Sequence, residues 1–310
     1  MEKFYRIRPI LEERIWGGQE IRRKFGYQTE LKNIAEAYHV IAIPGHLDNQ
    51  VEGEDMTLSQ FYRANRELFD CRAEELPVRL VTACANGKMS FHLHPADEYG
   101  LAHDGMRGKV EGGFALTDSD EEAEYMIGHH AQSLEEFKSM AEHEEWDKLL
   151  RCVKGKLSDY SHTPVGTLHG ESGDGSLIMV AYSSNGDVTY RLWDHGRTDP
   201  KRPLNVQAVY DNVKIPDDTI VPYHVEPYQE KGCMVYDYYA CAGEYVGRRI
   251  KTTPGASFEM EQFLFLLCLE GTTNVNHYNM KPGETLLIPA HSGRLVFDGN
   301  ADICVLSYID

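Results

Sequence analysis

Short runs of alternating apolar and polar residues recur along the chain and are bounded by Gly, Pro, Asn and Asp. Such runs predict β-strands, because a strand points successive side chains to opposite faces. The runs that fit best are 77–85, 88–95, 175–184, 187–194, 245–253, 262–271, 283–290 and 301–309. Many short strands separated by turn residues predict a mainly β chain, built as a sandwich or a barrel.

Helical periodicity is confined to two stretches, which we expect to form a small helical insertion. The first is 57–69, where Thr57 is an N-cap candidate ahead of apolar positions at helical spacing. The second is 133–150, where Ser133 stands three residues before Glu136, the spacing of a capping box.

The stretch 196–223 is rich in Pro and Asp and lacks a sustained period, so it is interpreted as a connector. Strand-and-turn patterns on both sides of it predict two jelly-roll units in tandem, 1–215 and 225–310. The second unit lacks a His-x-His pair and is expected to be structural.

Composition narrows the possible partners. A formal net charge of -18 argues against nucleic acid, because phosphate backbones bind basic faces, although a small phosphorylated substrate needs only a few local cations. No apolar run approaches the roughly 20 residues that cross a bilayer, which argues against a membrane. The N-terminal stretch is charged, and the seven cysteines show no C-x-x-C pairing. Both features predict a cytoplasmic protein. We expect it to be either a monomer or a homodimer.

Three separated stretches supply four potential metal ligands. His92 and His94 form a His-x-His pair, whose imidazoles leave a strand on the same side. Glu111 and His169 follow in strand-like segments bounded by glycine. Imidazole and carboxylate together suit zinc, iron, nickel or manganese, so the four residues predict a metal centre.

The order of several motifs resembles that of type I phosphomannose isomerases. The matching segments are IWGG (15–18), SFHLHPADEY (90–99), GKVE (108–111), PVGTLH (164–169) and DVTYR (187–191). The resemblance extends along nearly the whole chain. It implies two cupin units and a zinc-dependent aldose–ketose isomerase that interconverts mannose 6-phosphate and fructose 6-phosphate.

Carried over residue by residue, the resemblance implies that His94, Glu111 and His169 bind zinc. His92 stands at the remaining ligand position, where the family usually has Gln. The resulting set of three imidazoles and one carboxylate also suits manganese, iron or nickel. Glu98, four residues after His94, is a rival carboxylate at the spacing of another cupin motif, but Glu111 in the G-K-x-E segment is preferred.

The resemblance also implies the substrate-side residues. Ser90 and Lys109 match family positions near the phosphate, and Arg191 matches an arginine thought to stabilise the enediolate. The general base is left open between Asp187, a metal-bound water and a nearby histidine. One departure lies at Val180 or Ala181, where the family usually carries an acidic residue.

These departures define the alternatives. A divergent cupin that binds a sugar or sugar phosphate without isomerising it would explain the changes at His92 and Val180. A metal-dependent oxygenase would use the same set of three histidines and one glutamate. The isomerase is the preferred hypothesis.

Overall fold

The computed structural model describes residues 3–170, 172–175, 177–200 and 202–310, and for 172–174 the description covers the backbone alone. Met1, Glu2, Glu171, Ser176 and Lys201, all within the predicted first unit, lie outside the described residues. Strands take up 41% of the chain and helices 15%, which confirms the mainly β prediction. Within the described ranges, no helix is both long and apolar enough to cross a membrane.

Each of the eight predicted runs contains a strand. The strands of the first half are β1 Tyr5–Arg8, β2 Ile10–Gly18, β3 Ile34–Val40, β4 Gln50–Val51, β5 Val78–Ala83, β6 Asn86–Lys88, β7 Phe91–Leu93, β8 Glu111–Ala115, β9 Glu122–His129, β10 Leu150–Lys156, β11 Ser161–Thr163 and β12 His169–Gly170. The remaining strands are β13 Ser172–Asp174, β14 Met179–Ser184, β15 Tyr190–Trp193, β16 Tyr228–Glu230, β17 Cys233–Cys241, β18 Tyr245–Thr252, β19 Ser257–Phe258, β20 Leu264–Gly271, β21 Thr273–Val275, β22 Tyr278–Met280, β23 Thr285–Ile288, β24 Leu295–Val296 and β25 Ala301–Ser307.

The described helices are short and lie between the strands. They are α1 Glu20–Phe25, α2 Leu58–Ala64, α3 Asp97–Asp104, α4 Leu134–Glu142, α5 Trp146–Leu149 and α6 Val206–Asn212, with a 3₁₀ turn at Arg66–Leu68.

The two predicted helices form, but neither is continuous. The first ends at Ala64 and gives way to the 3₁₀ turn. In the second, Ser133 Oγ accepts from the backbone N of Glu136 at 3.1 Å, as a capping residue should. Glu144 then adopts a positive φ of 55° and splits the predicted 133–150 helix into α4 and α5.

The predicted connector contains a helix that its composition conceals. Residues of α6 pack one apolar face into a hydrophobic cluster, where Val209 is fully buried. The helix is only seven residues long, so its period is too short to stand out among the prolines and aspartates around it.

Two compact units emerge from the contacts within the chain. One comprises Met1–Ala83, Val180–Asn185 and Val225–Asp310. It holds an eight-stranded sheet in the order β16-β17-β18-β25-β20-β23-β1-β4, in which the N-terminal strand pairs with β23 through Tyr5 and Leu287. The segment Leu264–Leu269 is buried throughout, as expected for a strand covered on both faces.

The other unit comprises Cys84–Met179 and Gly186–His224. Its five-stranded antiparallel sheet has the order β10-β9-β12-β7-β15, so the strand of the His-x-His pair lies next to the strand of His169. These units are defined by compactness. The division into related cupin units at 1–215 and 225–310 stays a prediction.

Candidate metal centre

Strand register brings three of the predicted site residues to one face of the five-stranded sheet. His92 in β7 is directly opposite His169 in β12 on one side and Arg191 in β15 on the other. Directly opposite residues in antiparallel strands project to the same face. His94 follows β7 by one residue, and its ring centroid lies 5.4 Å from that of His92 and 5.0 Å from that of His169.

Three backbone carbonyls set the orientation of the three imidazoles. His92 Nδ1 donates to the Ser90 carbonyl at 2.7 Å, and His169 Nδ1 donates to the Thr167 carbonyl at 2.9 Å. His94 Nδ1 donates to the Val188 carbonyl at 2.8 Å. Since a carbonyl oxygen can only accept, each Nδ1 carries the proton, and each Nε2 keeps a lone pair available to a metal.

The environment keeps the rings of His92 and His94 neutral. Burial lowers the pKa of His94 from its ordinary 6.5 to about 4, with Lys109 acting in the same direction and Glu111 opposing it. Burial also holds the pKa of His92 well below 6.5, reinforced by His169 and His94. Neutral imidazole is the form that binds a metal ion.

Glu111 supplies a carboxylate to the same place. Its Oε1 lies 3.3 Å from Nε2 of both His94 and His169, while its Oε2 lies 2.8 Å from Lys109 Nζ. Burial opposes ionisation of Glu111, but its surroundings, first of all the Lys109 ammonium, outweigh burial and hold the pKa of the carboxyl well below its ordinary value. Glu111 is therefore ionised where it faces the imidazoles.

The donor set fits a metal ion. Ligand atoms of His92, His94 and His169 all lie within 4.8 Å of one another. Among the described residues, the buried His169 Nε2 makes no well-aligned hydrogen bond, although Glu111 Oε1 lies 3.3 Å away. Three imidazole lone pairs and one carboxylate oxygen face one another in a buried space. A divalent cation between them would supply the positive charge that stabilises this arrangement.

Glu98, the rival carboxylate, lies in the first turn of α3 and is exposed. The group whose ligand atoms all lie within 4.8 Å of one another contains neither glutamate, but Glu111 Oε1 lies 3.3 Å from two of its histidines. Glu111 has the better geometry, although its assignment as a ligand stays a prediction.

Close backbone packing holds the segments of the centre together. A Cβ added at Gly108 would lie 1.9 Å from the Pro95 carbonyl oxygen, and one added at Gly186 would lie 2.0 Å from the Gly108 carbonyl oxygen. The three segments that carry His94, Lys109 and Asp187 therefore stack at distances that no side chain permits. Glycine at 108 and 186 is a packing requirement.

The structure places the other predicted residues as follows. Ser90 is almost fully buried and lies behind His92, with its Oγ 3.4 Å from His92 Nδ1. Lys109 is buried against Glu111. Asp187 is half-buried in the segment before β15, one residue ahead of the Val188 carbonyl that orients His94. Their substrate and catalytic roles stay predictions.

At the predicted departure from the family pattern, Val180 is fully buried and Ala181 is half-buried in β14. Neither side chain can supply the missing carboxylate. An effect of the missing carboxylate on the choice of substrate stays a prediction.

The orienting carbonyls are the functional groups that the sequence reasoning missed. Backbone acceptors carry no residue identity, but two of them stand two positions before their histidine, in Ser90-Phe91-His92 and Thr167-Leu168-His169. The repeated hydroxyl-apolar-His pattern was a signal that could have found them.

Comparison with known proteins decides the family. A scan against models of protein families finds no match. The chain is 30% identical over 314 residues to "Probable mannose-6-phosphate isomerase GmuF" of Bacillus subtilis (strain 168), covering 96% of this chain and 97% of that protein. The chain belongs to the mannose-6-phosphate isomerase family. Membership favours the isomerase over the non-catalytic binder and the oxygenase.

Solved structures confirm the cupin fold. The crystal structure of the mannose 6-phosphate isomerase from Bacillus subtilis matches with a TM-score of 0.87 at 24% identity, covering 98% of this chain and 99% of that one. The structure of a mannose 6-phosphate isomerase bound with zinc and yttrium matches with a TM-score of 0.72 at 15% identity, covering all of both chains.

Proposed function

We propose that this protein is a metal-dependent aldose–ketose isomerase that interconverts mannose 6-phosphate and fructose 6-phosphate. The observation that carries the proposal is the convergence of His92, His94 and His169, with Glu111 3.3 Å from the last two, in a chain of the mannose-6-phosphate isomerase family. The substrate is accordingly a small sugar phosphate.

We propose zinc as the ion and these four side chains as its ligands. Support comes from the three oriented Nε2 atoms and from the structural relative whose description includes bound zinc. When bound, the ion supplies Lewis-acid stabilisation of negative charge on sugar oxygens. Manganese, iron or nickel would satisfy the same ligand types.

Arg191 is proposed to bind the oxygens on which enediolate charge develops. It lies opposite His92 across the β7–β15 pair, on the face of the sheet that carries the imidazoles. A guanidinium suits this role because it stays protonated and presents a planar fork of donors.

Asp187 is proposed as the base that moves the proton between C1 and C2 of the open-chain sugar. It is a half-buried carboxyl whose neighbouring Val188 carbonyl contacts His94, so its segment reaches the metal centre. A general base must lie within hydrogen-bond reach of the proton that it removes.

Lys109 and Ser90 are proposed to bind the substrate phosphate. Lys109 carries its ammonium charge beside Glu111 in the metal centre, and an ammonium binds phosphate as a point charge. Ser90 is the less exposed of the two and would act through its hydroxyl.

A coupled assay that detects fructose 6-phosphate tests the function. Zinc-loaded protein should convert mannose 6-phosphate and leave unphosphorylated mannose largely untouched. Arg191→Lys should keep the metal and lose about 10²-fold or more in kcat, by analogy with the loss of one donor to a developing oxyanion. No conversion of mannose 6-phosphate, while the Bacillus subtilis relative turns it over under the same conditions, would refute the proposal.

We also propose a cytoplasmic location. None of the seven cysteines forms a disulfide, as expected in a reducing compartment. Whether the protein is a monomer or a homodimer stays open to a light-scattering measurement.

A further inference from the structure

A buried ion pair outside the metal centre is connected to it by hydrogen bonds. Arg151 Nη1 donates to Asp217 Oδ2 at 2.9 Å, and the two side chains are 12% and 1% exposed. Arg151 also donates to the carbonyl oxygens of Asp218 and His129, at 3.1 and 2.5 Å. Asp217 Oδ2 accepts a further bond from the His129 backbone N at 3.1 Å. The ion pair thus fixes the backbone of His129 against the segment 217–218.

The side chain of His129 fixes the same segment at a second point. Its Nε2 donates to the Lys214 carbonyl at 2.9 Å. The ring is 1% exposed and meets Phe137 edge-on, with the centroids 4.9 Å apart. We call His129, Arg151, Lys214 and Asp217 the clamp.

From the clamp, backbone bonds lead directly to one metal ligand. Lys214 N donates to the Gly166 carbonyl at 3.0 Å, and Gly166 N donates to the His94 carbonyl at 2.8 Å. The position of His94 therefore depends on Gly166, and the position of Gly166 depends on Lys214.

A parallel path reaches the second ligand. Gly128 N, adjacent to His129, donates to the Leu168 carbonyl at 2.6 Å. Leu168 lies between Thr167, whose carbonyl orients the imidazole, and His169 itself. The clamp and the adjacent Gly128 thus hold the segment 164–169 at two points, Gly166 and Leu168.

The glycines at these junctions are required by close approach. Gly128 has a φ of +85°, and a Cβ there would lie 1.9 Å from Asp217 Oδ2. Gly166 has a φ of +76°, and a Cβ there would lie 2.6 Å from the Asn212 carbonyl oxygen. The clamp is packed too tightly to shift without moving the ligand segments.

We propose that His129 is a positioning residue for the metal ligands His94 and His169, acting through the Lys214 carbonyl and Gly166. This inference rests on the proposed metal centre, and none of the clamp side chains contacts the cluster of histidines. Without the His129 donor, the Lys214 carbonyl loses this hydrogen bond. The segment 164–169 then samples positions in which the Nε2 atoms of His94 and His169 do not converge.

Two substitutions at His129 separate the effect of its N–H donor from the effect of its aromatic ring. His129→Phe keeps an aromatic ring against Phe137 and removes the donor, while His129→Gln keeps an N–H donor near the place of Nε2. Asp217→Asn tests the ion pair and serves where His129→Phe does not fold. Ala141→Gly, in the buried face of α4, is the control for general loss of stability.

Each purified variant is measured for zinc affinity by competition with a chelator, and for hydrogen exchange of peptides covering 164–170 and 209–218. We expect His129→Phe to bind zinc about 10-fold more weakly, within the range seen when outer-shell partners of a metal site are removed. Both peptides should lose protection even without metal. His129→Gln should recover most of the affinity, and Ala141→Gly should keep it.

Zinc affinity and exchange in His129→Phe equal to those of the wild type would overturn the inference and leave the proposed function intact. If Ala141→Gly weakens zinc binding as much as His129→Phe does, the inference is likewise overturned and the proposed function is left intact. Failure of the wild type itself to bind zinc would count against the proposed function, while loss of protection in the two metal-free peptides would still support the clamp.

Discussion

Lys109 Nζ donates to Glu111 Oε2 across 2.8 Å, which leaves Oε1 as the oxygen that faces His94 and His169. The two oxygens of the Glu111 carboxylate thus have different partners: Oε2 contacts the Lys109 ammonium, and Oε1 faces the two histidines. The lysine both keeps Glu111 ionised and limits its rotation, so a residue predicted to bind substrate phosphate also supports the metal centre.

Replacing Lys109 should weaken metal binding. Lys109→Met removes the cation at similar volume, so the pKa of Glu111 rises and its Oε1 is no longer held in place. We expect zinc affinity to fall about 10- to 100-fold, the usual range for an outer-shell partner. Isothermal titration with Lys109→Arg as the charge-preserving control measures this, and unchanged affinity in Lys109→Met would be incompatible with the support role.

Position 92 should tolerate Gln, the residue that the family resemblance implies there. His92→Gln supplies an amide oxygen in place of Nε2 and should retain one zinc per chain with a changed coordination, whereas His92→Ala should bind zinc at least about 10-fold more weakly. Metal content by mass spectrometry and X-ray absorption at the zinc edge distinguish the two variants. If both variants match the wild type in affinity and spectrum, His92 is not a ligand.

Gly186 should be intolerant of a methyl group. In Gly186→Ala the new Cβ would meet the Gly108 carbonyl oxygen at 2.0 Å and push apart the segments that carry Asp187 and Lys109. We expect a loss of several kcal/mol in the free energy of unfolding if the segments cannot separate, or loss of zinc binding if they do.

Gly105 provides the matched control for Gly186. Its φ of +65° strains an alanine, but nothing lies within 4 Å of the added Cβ. Gly105→Ala should therefore cost about 1–2 kcal/mol and keep zinc affinity. Denaturant unfolding and zinc titration on both variants provide the comparison, and equal effects at the two positions would argue against the packing requirement.

Acid should destabilise the protein through His39, which is fully buried and bonded through Nε2 to Thr82 Oγ1. Burial lowers the pKa of His39 from 6.5 to about 3. The unfolded chain therefore binds a proton that the folded chain does not, and stability falls as the pH drops below 6.5 towards 3. From pH 7 to 4.5 the loss should be about 2–3 kcal/mol.

The contribution of His39 to the loss of stability in acid is checked by urea unfolding of the wild type and of His39→Leu at several pH values. The leucine variant lacks the titrating group, so its stability should vary less between pH 7 and 4.5. Identical pH slopes for the two proteins would show that His39 is not responsible.

Local sequence patterns were sufficient for part of the strands and for the His-x-His pair. Each of the eight runs predicted by their apolar pattern contains a strand, and His92-Leu93-His94 predicted a shared face because that rule is local. The preference for Glu111 over Glu98 depended on a family motif, since spacing alone left both open.

What the sequence could not provide is long-range. The register that puts His169 and Arg191 on either side of His92 depends on pairing between distant segments. The stacking of Gly186 on Gly108 is a backbone contact, and the path from Asp217 to His94 joins side chains to the backbone of distant segments. No local residue pattern encodes either one. At Glu144 a positive φ interrupts the helical period, and the short helix α5 follows before β10 begins.

The central claim is that isomerisation depends on an ion held by His92, His94, His169 and Glu111. Its most direct test is to strip the protein with a chelator and titrate zinc back, following bound metal and conversion of mannose 6-phosphate in the same samples. We predict that conversion is lost on stripping and returns in proportion to zinc, reaching its maximum at one ion per chain, and that Glu111→Gln shifts the titration to higher zinc concentrations. Full conversion by the metal-free protein would contradict the account.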